Sequence, residues 1–186
     1  MTSNRPLNRR PAMIVAVSLP FLLAVSARAG GEPVRFVQIS PNDYRNFLAN
    51  WDDEAQPVLM AVIRTPEEYD ALFHPAPVMG DRKPYKPPPQ LFENEMIVVV
   101  ARVVDAPAEG EQVLGVEKLS ADGDTLELRY RFTPPRMPAS FRVKQMLAVR
   151  LPRCDFKVVR IVENGTAVGD LRPDEGRWVV PARPAR

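Results

Sequence analysis

The stretch Met96-Ile97-Val98-Val99-Val100-Ala101-Arg102-Val103-Val104 decides the fold of this chain. It is apolar except at Arg102, and five of its nine residues are valine, whose branched side chain favours extended backbone. A strand with one face in water alternates apolar and polar residues, whereas this stretch is apolar almost throughout. We therefore expect residues 96–104 to form the central strand of a sheet, covered on both faces by neighbouring segments.

Four further strand patterns follow the central stretch. Residues 113–119 and 125–132 flank Asp122-Gly123, and the second segment alternates apolar and charged side chains, so together they predict a β-hairpin. Residues 141–151 and 156–162 predict two more strands, and Asn164-Gly165 predicts another turn.

The segments before the central stretch predict two strands and one capped helix. The strands are residues 34–39 and 58–63. Thr65-Pro66-Glu67-Glu68 has the residues of a capping box with proline in the first turn, and it predicts a helix over residues 65–73 that ends at Pro75. The spacing of Tyr44, Phe47 and Leu48 fits one face of a further short helix.

Proline separates these segments. Six prolines between residues 75 and 89 favour extended polyproline II backbone, so we expect a long surface loop there. Pro134, Pro135 and Pro138 make a second break. The predicted fold is one α+β domain over residues 30–170, mainly antiparallel β-sheet with one short capped helix and proline-rich loops, followed by a tail at 171–186.

Residues 1–29 have the pattern of a cleavable signal peptide. Arginines precede an apolar run at residues 12–25, which is too short to span a bilayer, and Ala27 and Ala29 predict cleavage before Gly30. We expect a periplasmic or secreted protein with no stable membrane span after cleavage. The leader carries four basic residues and no acid, so its removal changes the formal net charge from +2 to −2, and this balance does not favour binding of nucleic acid.

The order of segments resembles a family of exported proteins. Thr-Pro-Glu-Glu-Tyr-Asp-Ala-Leu-Phe at residues 65–73 is followed by Leu-Phe-Glu-Asn-Glu at 91–95 and by the central strand. This order resembles the C-terminal domain of PrcB-type protease-complex accessory subunits and related small exported β proteins, over residues 58–150. The family usually has a glycine pair and an aromatic residue where this chain has Glu-Gly-Glu-Gln-Val at 109–113. The resemblance implies a non-catalytic binding or accessory role.

The chain offers few residues for nucleophilic catalysis. His74 is the single histidine, so a hydrolase would need it beside Ser40, Ser120, Ser140 or Cys154, and none of these serines lies in a tight glycine turn. At the end of a helix, His74 has an ordinary role beside the helix dipole. One cysteine cannot form an internal disulfide, and the strand patterns around Cys154 favour its burial, with pairing to another chain as the alternative.

Acidic residues occur in small groups that we interpret structurally. Asp52-Asp53-Glu54 and Asp122-Gly123-Asp124 could offer oxygen atoms to calcium, but neither has the spacing of a calcium loop, and a solvated loop and a hairpin turn explain them. Glu93 and Glu95 could share a face as an acid–base pair, or could be charges that keep an apolar strand from aggregating. We expect no metal and no cofactor.

The sequence therefore predicts an exported, non-catalytic protein-binding module, an accessory or inhibitor-like partner of a secreted or periplasmic protein. The alternatives are a small exported hydrolase that uses His74 and a periplasmic protein that binds a small ligand or calcium. Exposed residues in the two proline-rich segments are the predicted partner contacts: Arg82, Lys83, Tyr85, Lys86, Arg136 and Met137.

Overall fold

The computed structural model describes residues 31–39, 46–75, 86–137 and 140–172. In chain order the strands are β1 (Glu32–Pro33), β2 (Val37–Ile39), β3 (Asn46–Leu48), β4 (Val58–Ile63), β5 (Phe73–Pro75), β6 (Glu95–Asp105), β7 (Leu114–Asp122), β8 (Thr125–Phe132), β9 (Arg142–Pro152), β10 (Val158–Glu163) and β11 (Thr166–Leu171). The helices are α1 (Pro66–Leu72) and α2 (Leu91–Asn94). The predicted signal peptide lies outside the described residues, as do residues 173–186 of the predicted tail.

The strands form two main sheets and a small ribbon. One sheet has five strands in the order β1-β7-β8-β10-β11, the other has four in the order β2-β9-β6-β4, and β3 pairs with β5. Every neighbouring pair is antiparallel except β8 and β10, which are parallel. The prediction of a mainly antiparallel α+β fold is confirmed, but the strands are divided between two sheets rather than gathered in one.

Strand β6 lies inside the four-stranded sheet and is covered on both faces, as its sequence predicts. Met96, Val98 and Val100 belong to an apolar core shared with the five-stranded sheet. Ile97 and Val99 belong to a second core on the opposite face. The alternation of a strand therefore sends consecutive valines into two different cores, and both sides must be apolar.

Helix α1 covers part of the second core, and its start is capped as predicted. The Thr65 hydroxyl accepts the backbone N–H of Glu68 at 3.2 Å, while the Glu68 carboxylate accepts the backbone N–H of Arg64 at 2.6 Å. Tyr69 and Leu72 are buried on the face that packs against the sheet. Removal of an N-cap side chain costs about 1 kcal/mol, so this local pattern contributes to where the helix begins.

The two helices predicted from the sequence differ in part from the structure. Helix α1 ends at Leu72, because Phe73 has extended backbone with φ −114° and ψ 142° and begins β5. The short helix predicted through Tyr44, Phe47 and Leu48 is also wrong in part, since Asn46–Leu48 is strand β3, paired with β5. Pairing between these two short strands replaces the helical hydrogen bonds that each segment would make alone. Residues 40–45 lie outside the described residues.

The turn predicted at Asn164-Gly165 is confirmed, with φ of 49° and 83°. Two elements were not predicted. Strand β11 follows this turn and returns beside β10. Short helix α2 leads into β6 and buries Phe92 in the second core. The strand predicted at 34–39 is shorter in the structure, where only Val37–Ile39 is β2, paired with β9, and the preceding residues Glu32–Pro33 form β1, paired with β7 of the other sheet. No helix within the described residues is long and apolar enough to cross a bilayer.

Candidate functional site

The first proline-rich segment holds four of the predicted contact residues. Arg82, Lys83 and Tyr85 lie outside the described residues. The ammonium group of Lys86 donates to both carboxylate oxygens of Asp70, at 2.9 and 2.8 Å, and both side chains are about half exposed. Lys86 therefore links the end of this segment to helix α1 by a surface ion pair.

The second proline break holds the other two predicted contact residues. Met137 is 81% exposed, and Phe141, four residues later, is 60% exposed. Arg136 is also exposed, and its backbone N–H donates to the carboxylate of Glu111 at 3.0 Å. Two large apolar side chains are therefore in contact with water on either side of residues 138–139.

Strand β2 is a second exposed apolar feature, which the sequence did not single out. It pairs with β9 on one side, and within the described residues no strand pairs with its other side. Val37 is 54% exposed and Phe36 is 37% exposed. An edge strand with apolar side chains and free backbone groups is a surface to which another chain can add.

Beside β2 lies an open, mainly apolar groove of about 560 Å³, here named the β2 groove. Its lining residues come from the segment around β2, from the start of β6 and from the end of β9: Val34, Arg35, Phe36, Val37, Glu95, Arg150, Leu151 and Pro152. The groove thus combines an apolar wall with two arginines and one glutamate.

The charged groups of the β2 groove are incompletely paired. Arg150 Nε lies 3.3 Å from Glu95 Oε2, close enough for an ion pair. The same Nε is buried, and its N–H makes no hydrogen bond within the described residues because Glu95 is poorly aligned to accept it. The Arg150 side chain as a whole is 30% exposed, so it can still contact an additional acceptor.

A polar cleft of about 290 Å³ lies on the other face of β2, here named the β7 cleft. Val37 and Gln38 point to opposite faces, and Gln38 lines this cleft while Val37 lines the groove. The remaining lining residues come from β7, β8 and the segments beside them: Gln112, Val113, Gly115, Val116, Glu117, Arg131 and Thr133. Strand β1 pairs only with Ser120 and Ala121, so residues 114–118 of β7 have no strand partner on this side within the described residues.

A half-buried polar cluster joins the two sheets elsewhere in the sandwich. The hydroxyl of Tyr130 and the guanidinium of Arg102 both donate to Oε2 of Glu163. Tyr130 is fully buried, while the side chains of Arg102 and Glu163 are 22% and 17% exposed. Arg102 also lies over the ring of Phe132, 4.0 Å from its centre. Arg102, from β6 of the four-stranded sheet, thereby contacts β10 and β8 of the five-stranded sheet.

The electrostatics of this cluster favour a structural role. Burial, and then the hydrogen bond to Glu163, raise the pKa of Tyr130 above its usual value. The phenol is therefore neutral over the physiological range and acts as a donor to the carboxylate. A nucleophile or a base needs a lowered pKa instead, so the arrangement ties strands together rather than activating a group.

The outer face of the five-stranded sheet is charged and paired. Arg131 binds Glu117 at 3.0 Å, and Arg129 binds Glu127 at 2.6 Å. The guanidinium of Arg160 donates to both oxygens of its acid, Asp170, at 2.9 and 3.0 Å. These pairs leave little net charge on this face.

Of the residues considered for a hydrolase, Ser40 lies outside the described residues, and His74, Ser120 and Cys154 lie in different parts of the fold. Ser120 is buried in β7 of the five-stranded sheet, whereas His74 is exposed on β5, whose ribbon packs on the outer side of the four-stranded sheet. Cys154 is exposed between β9 and β10, so the expectation of burial is wrong, because its loop lies outside both cores.

The acidic groups make structural contacts. Asp52 accepts the backbone N–H groups of Glu54 and Ala55 at 3.2 and 3.1 Å, as in a turn. Lys144 hydrogen-bonds Asp53 at 2.8 Å and lowers the pKa of that carboxyl. Gly123 turns the β7–β8 hairpin with a φ of 53°. Among the described residues, no group of three or more histidine, cysteine or acidic side chains is placed to hold a metal ion.

Glu93 and Glu95 belong to different elements. Glu93 is exposed in α2, whereas Glu95 begins β6 and pairs with Arg150. They do not lie together on one strand face, because the helix interrupts the alternation that would have aligned them. Comparison with protein-family models, with curated proteins and with solved structures found no match to this chain.

Proposed function

We propose that this protein is an exported, non-catalytic protein-binding module, an accessory or inhibitor-like partner of a secreted or periplasmic protein. The observation that supports this most strongly is the exposure of Val37 on edge strand β2, and of Phe36 directly before it, between the β2 groove and the β7 cleft. Apolar side chains on an unpaired strand edge favour association with another chain, and natural proteins usually protect such edges with charge or proline.

The exposed Met137 and Phe141 are a second apolar surface available to a partner. Methionine and aromatic residues are enriched where proteins contact one another, because they bury a large area with few conformational restrictions. Arg136 and Lys86 provide polar contacts near the two proline-rich segments. The partner surface therefore comprises the β2 edge and, in addition, the second proline break.

Capture of partners from the exported fraction tests this proposal. The chain is expressed with its own leader and a C-terminal affinity tag, alongside the variants Phe36→Ser/Val37→Ser and Met137→Ser/Phe141→Ser. Ala167→Ser, an exposed change on β11, is the matched control. We expect one stoichiometric protein to be captured, and the Phe36→Ser/Val37→Ser change to reduce its recovery about tenfold, as the loss of apolar anchors does.

Two results would contradict the proposal. One is recovery of the wild-type protein as a bare monomer at low and physiological salt. The other is capture that neither double variant reduces, since the retained protein would then not be bound through either exposed apolar surface.

A further inference from the structure

The two main sheets pack face to face on a shared core, and the two lateral sides of this sandwich differ. One side is closed by contacts between the sheets. On the side of β4 and β11, Gly169 packs against Met60 so closely that an added Cβ would lie 2.6 Å from Met60 Cε. On the side of β2 and β7, the β7 cleft separates the strands. A strand added beside β2 would therefore have open space toward the five-stranded sheet, within the part of the chain that the structure describes.

A strand added beside β2 would place its side chains in two different environments. Side chains alternate along an extended chain, so every second one would point toward the β2 groove, and the others would point toward the β7 cleft. The groove offers the apolar surface of Phe36, Val37 and Leu151, whereas the cleft offers Gln38 and Thr133. An alternating apolar and polar segment matches this division.

Charge further restricts the segment. Among the described residues that line the groove, Arg35 and Arg150 are opposed by Glu95 alone, and the Arg150 side chain is 30% exposed. A carboxylate on the added strand would accept from Arg150, whereas an ammonium group would be repelled. A second copy of the chain, paired through β2 about a two-fold axis, would bring the arginines of both copies into one interface and is disfavoured.

Taken together with the proposed function, on which this step rests, the geometry points to strand addition: an extended segment of the exported partner pairs with the edge of β2 that has no strand neighbour among the described residues, and it directs a carboxylate side chain at Arg150. The segment alternates apolar or acidic residues, which face the β2 groove, with small polar residues, which face the β7 cleft. Backbone hydrogen bonds provide affinity, and the carboxylate selects the sequence.

Synthetic peptides test this inference directly on the exported protein. The probe is Ac-Thr-Val-Thr-Glu-Thr-Val-Thr-NH₂, and two relatives carry lysine at the centre or N-methyl groups on alternate amides. We expect the glutamate peptide to bind about tenfold tighter than the lysine peptide, because the charge contact changes sign. Bound peptide should slow hydrogen exchange at amides of residues 36–39, and N-methylation along the pairing edge should abolish binding.

Variants locate the selecting charge. Arg150→Gln should remove the preference for glutamate over lysine, and Arg35→Gln, at an exposed position, should reduce it even if the first change perturbs folding. Arg160→Gln is the matched control, since Arg160 lies on the outer face of the other sheet, paired with Asp170. It should leave the preference unchanged.

Several outcomes would overturn strand addition. The first is that no peptide, at millimolar concentration, protects the amides of residues 36–39 from exchange. The second is that the N-methylated peptide binds as tightly as the unmodified glutamate peptide. The third is a dimer in sedimentation that excludes the peptide. If a partner is captured through Phe36 and Val37 while the peptides fail, strand addition is wrong and the proposed function stands. If the peptides bind and no partner is captured, the proposed function is wrong and the edge chemistry stands.

Discussion

Replacement of Glu163 by glutamine tests whether the polar cluster holds the two sheets together. Glutamine has the same size as glutamate but no charge, and its single amide oxygen can accept from Tyr130 or Arg102 with less strength than the carboxylate. The change therefore weakens both contacts without creating a cavity. The surrounding apolar core is left intact.

The expected loss follows from the two charge-assisted hydrogen bonds. Each such bond stabilises a protein by about 1.5–3 kcal/mol net. The amide retains part of one bond, and Arg102 and Glu163 are about one fifth exposed, so water compensates part of the loss. We expect Glu163→Gln to lower the free energy of unfolding by about 2 kcal/mol, which corresponds to a fall in Tm of about 8 °C for a domain of this size.

Urea denaturation followed by the fluorescence of buried Trp51 measures this loss. Tyr130→Phe should cost about 1.5 kcal/mol, and the double variant should show a coupling of about 1 kcal/mol between the two positions. Glu127→Gln, which changes a surface pair with Arg129, is the control and should cost less than about 0.5 kcal/mol.

Alkaline pH tests whether burial and the hydrogen bond to Glu163 keep the Tyr130 phenol neutral. The pKa of Tyr130 is raised in the folded protein, so its contribution is complete below the ordinary tyrosine pKa of about 10 and is lost as the pH rises above that value. The wild type should lose about 1.4 kcal/mol more stability per pH unit above pH 10 than Tyr130→Phe. A coupling near zero would refute the view that this cluster joins the sheets, and parallel alkaline curves would show that the pKa of Tyr130 is not raised in the folded protein.

Three further substitutions test local features. Gly31→Ala would place a Cβ 2.2 Å from the backbone oxygen of Ala121, so we expect it to lower the free energy of unfolding by about 1–3 kcal/mol and to speed hydrogen exchange in β1. Gly169→Ala, whose Cβ meets the flexible end of the Met60 side chain, should cost less. Equal losses in urea denaturation would contradict this reading. The hydrogen bond from Arg160 lowers the pKa of Asp170, so the stability that this pair contributes is present above about pH 4 and lost as the pH falls through the lowered pKa. Asp170→Asn should therefore reduce the loss of unfolding free energy between neutral and acid pH by less than about 1 kcal/mol, because the pair is on a solvated face. An unchanged pH dependence would show that the pair contributes nothing.

Local patterns account for the parts of the fold that the sequence predicts well. The apolar run at 96–104 is covered on both faces, because a strand without polar positions is stable only between two cores. Thr65 and Glu68 form the predicted cap. Gly123 takes a positive φ at the predicted hairpin turn. Each of these features depends on residues that are near one another in the chain, so the chain itself carries the information.

Features that require distant segments to meet were not predicted. Arg102 was visible as the single charge in the central strand, but its partner Glu163 is 61 residues away. The parallel pairing of β8 with β10, the exposure of Cys154 and the open edge of β2 likewise depend on which strands become neighbours.

The sequence by itself determined where β4 and the strands from β6 to β10 form, where the capped helix begins and which strand must be buried, because hydrophobic period, capping and turn chemistry act over a few residues. Only the tertiary structure decided that the strands divide into two sheets and that β2 remains with one unpaired edge among the described residues. Strand order results from competition among many long-range pairings of similar energy, and alternation along a single strand does not distinguish one neighbour from another.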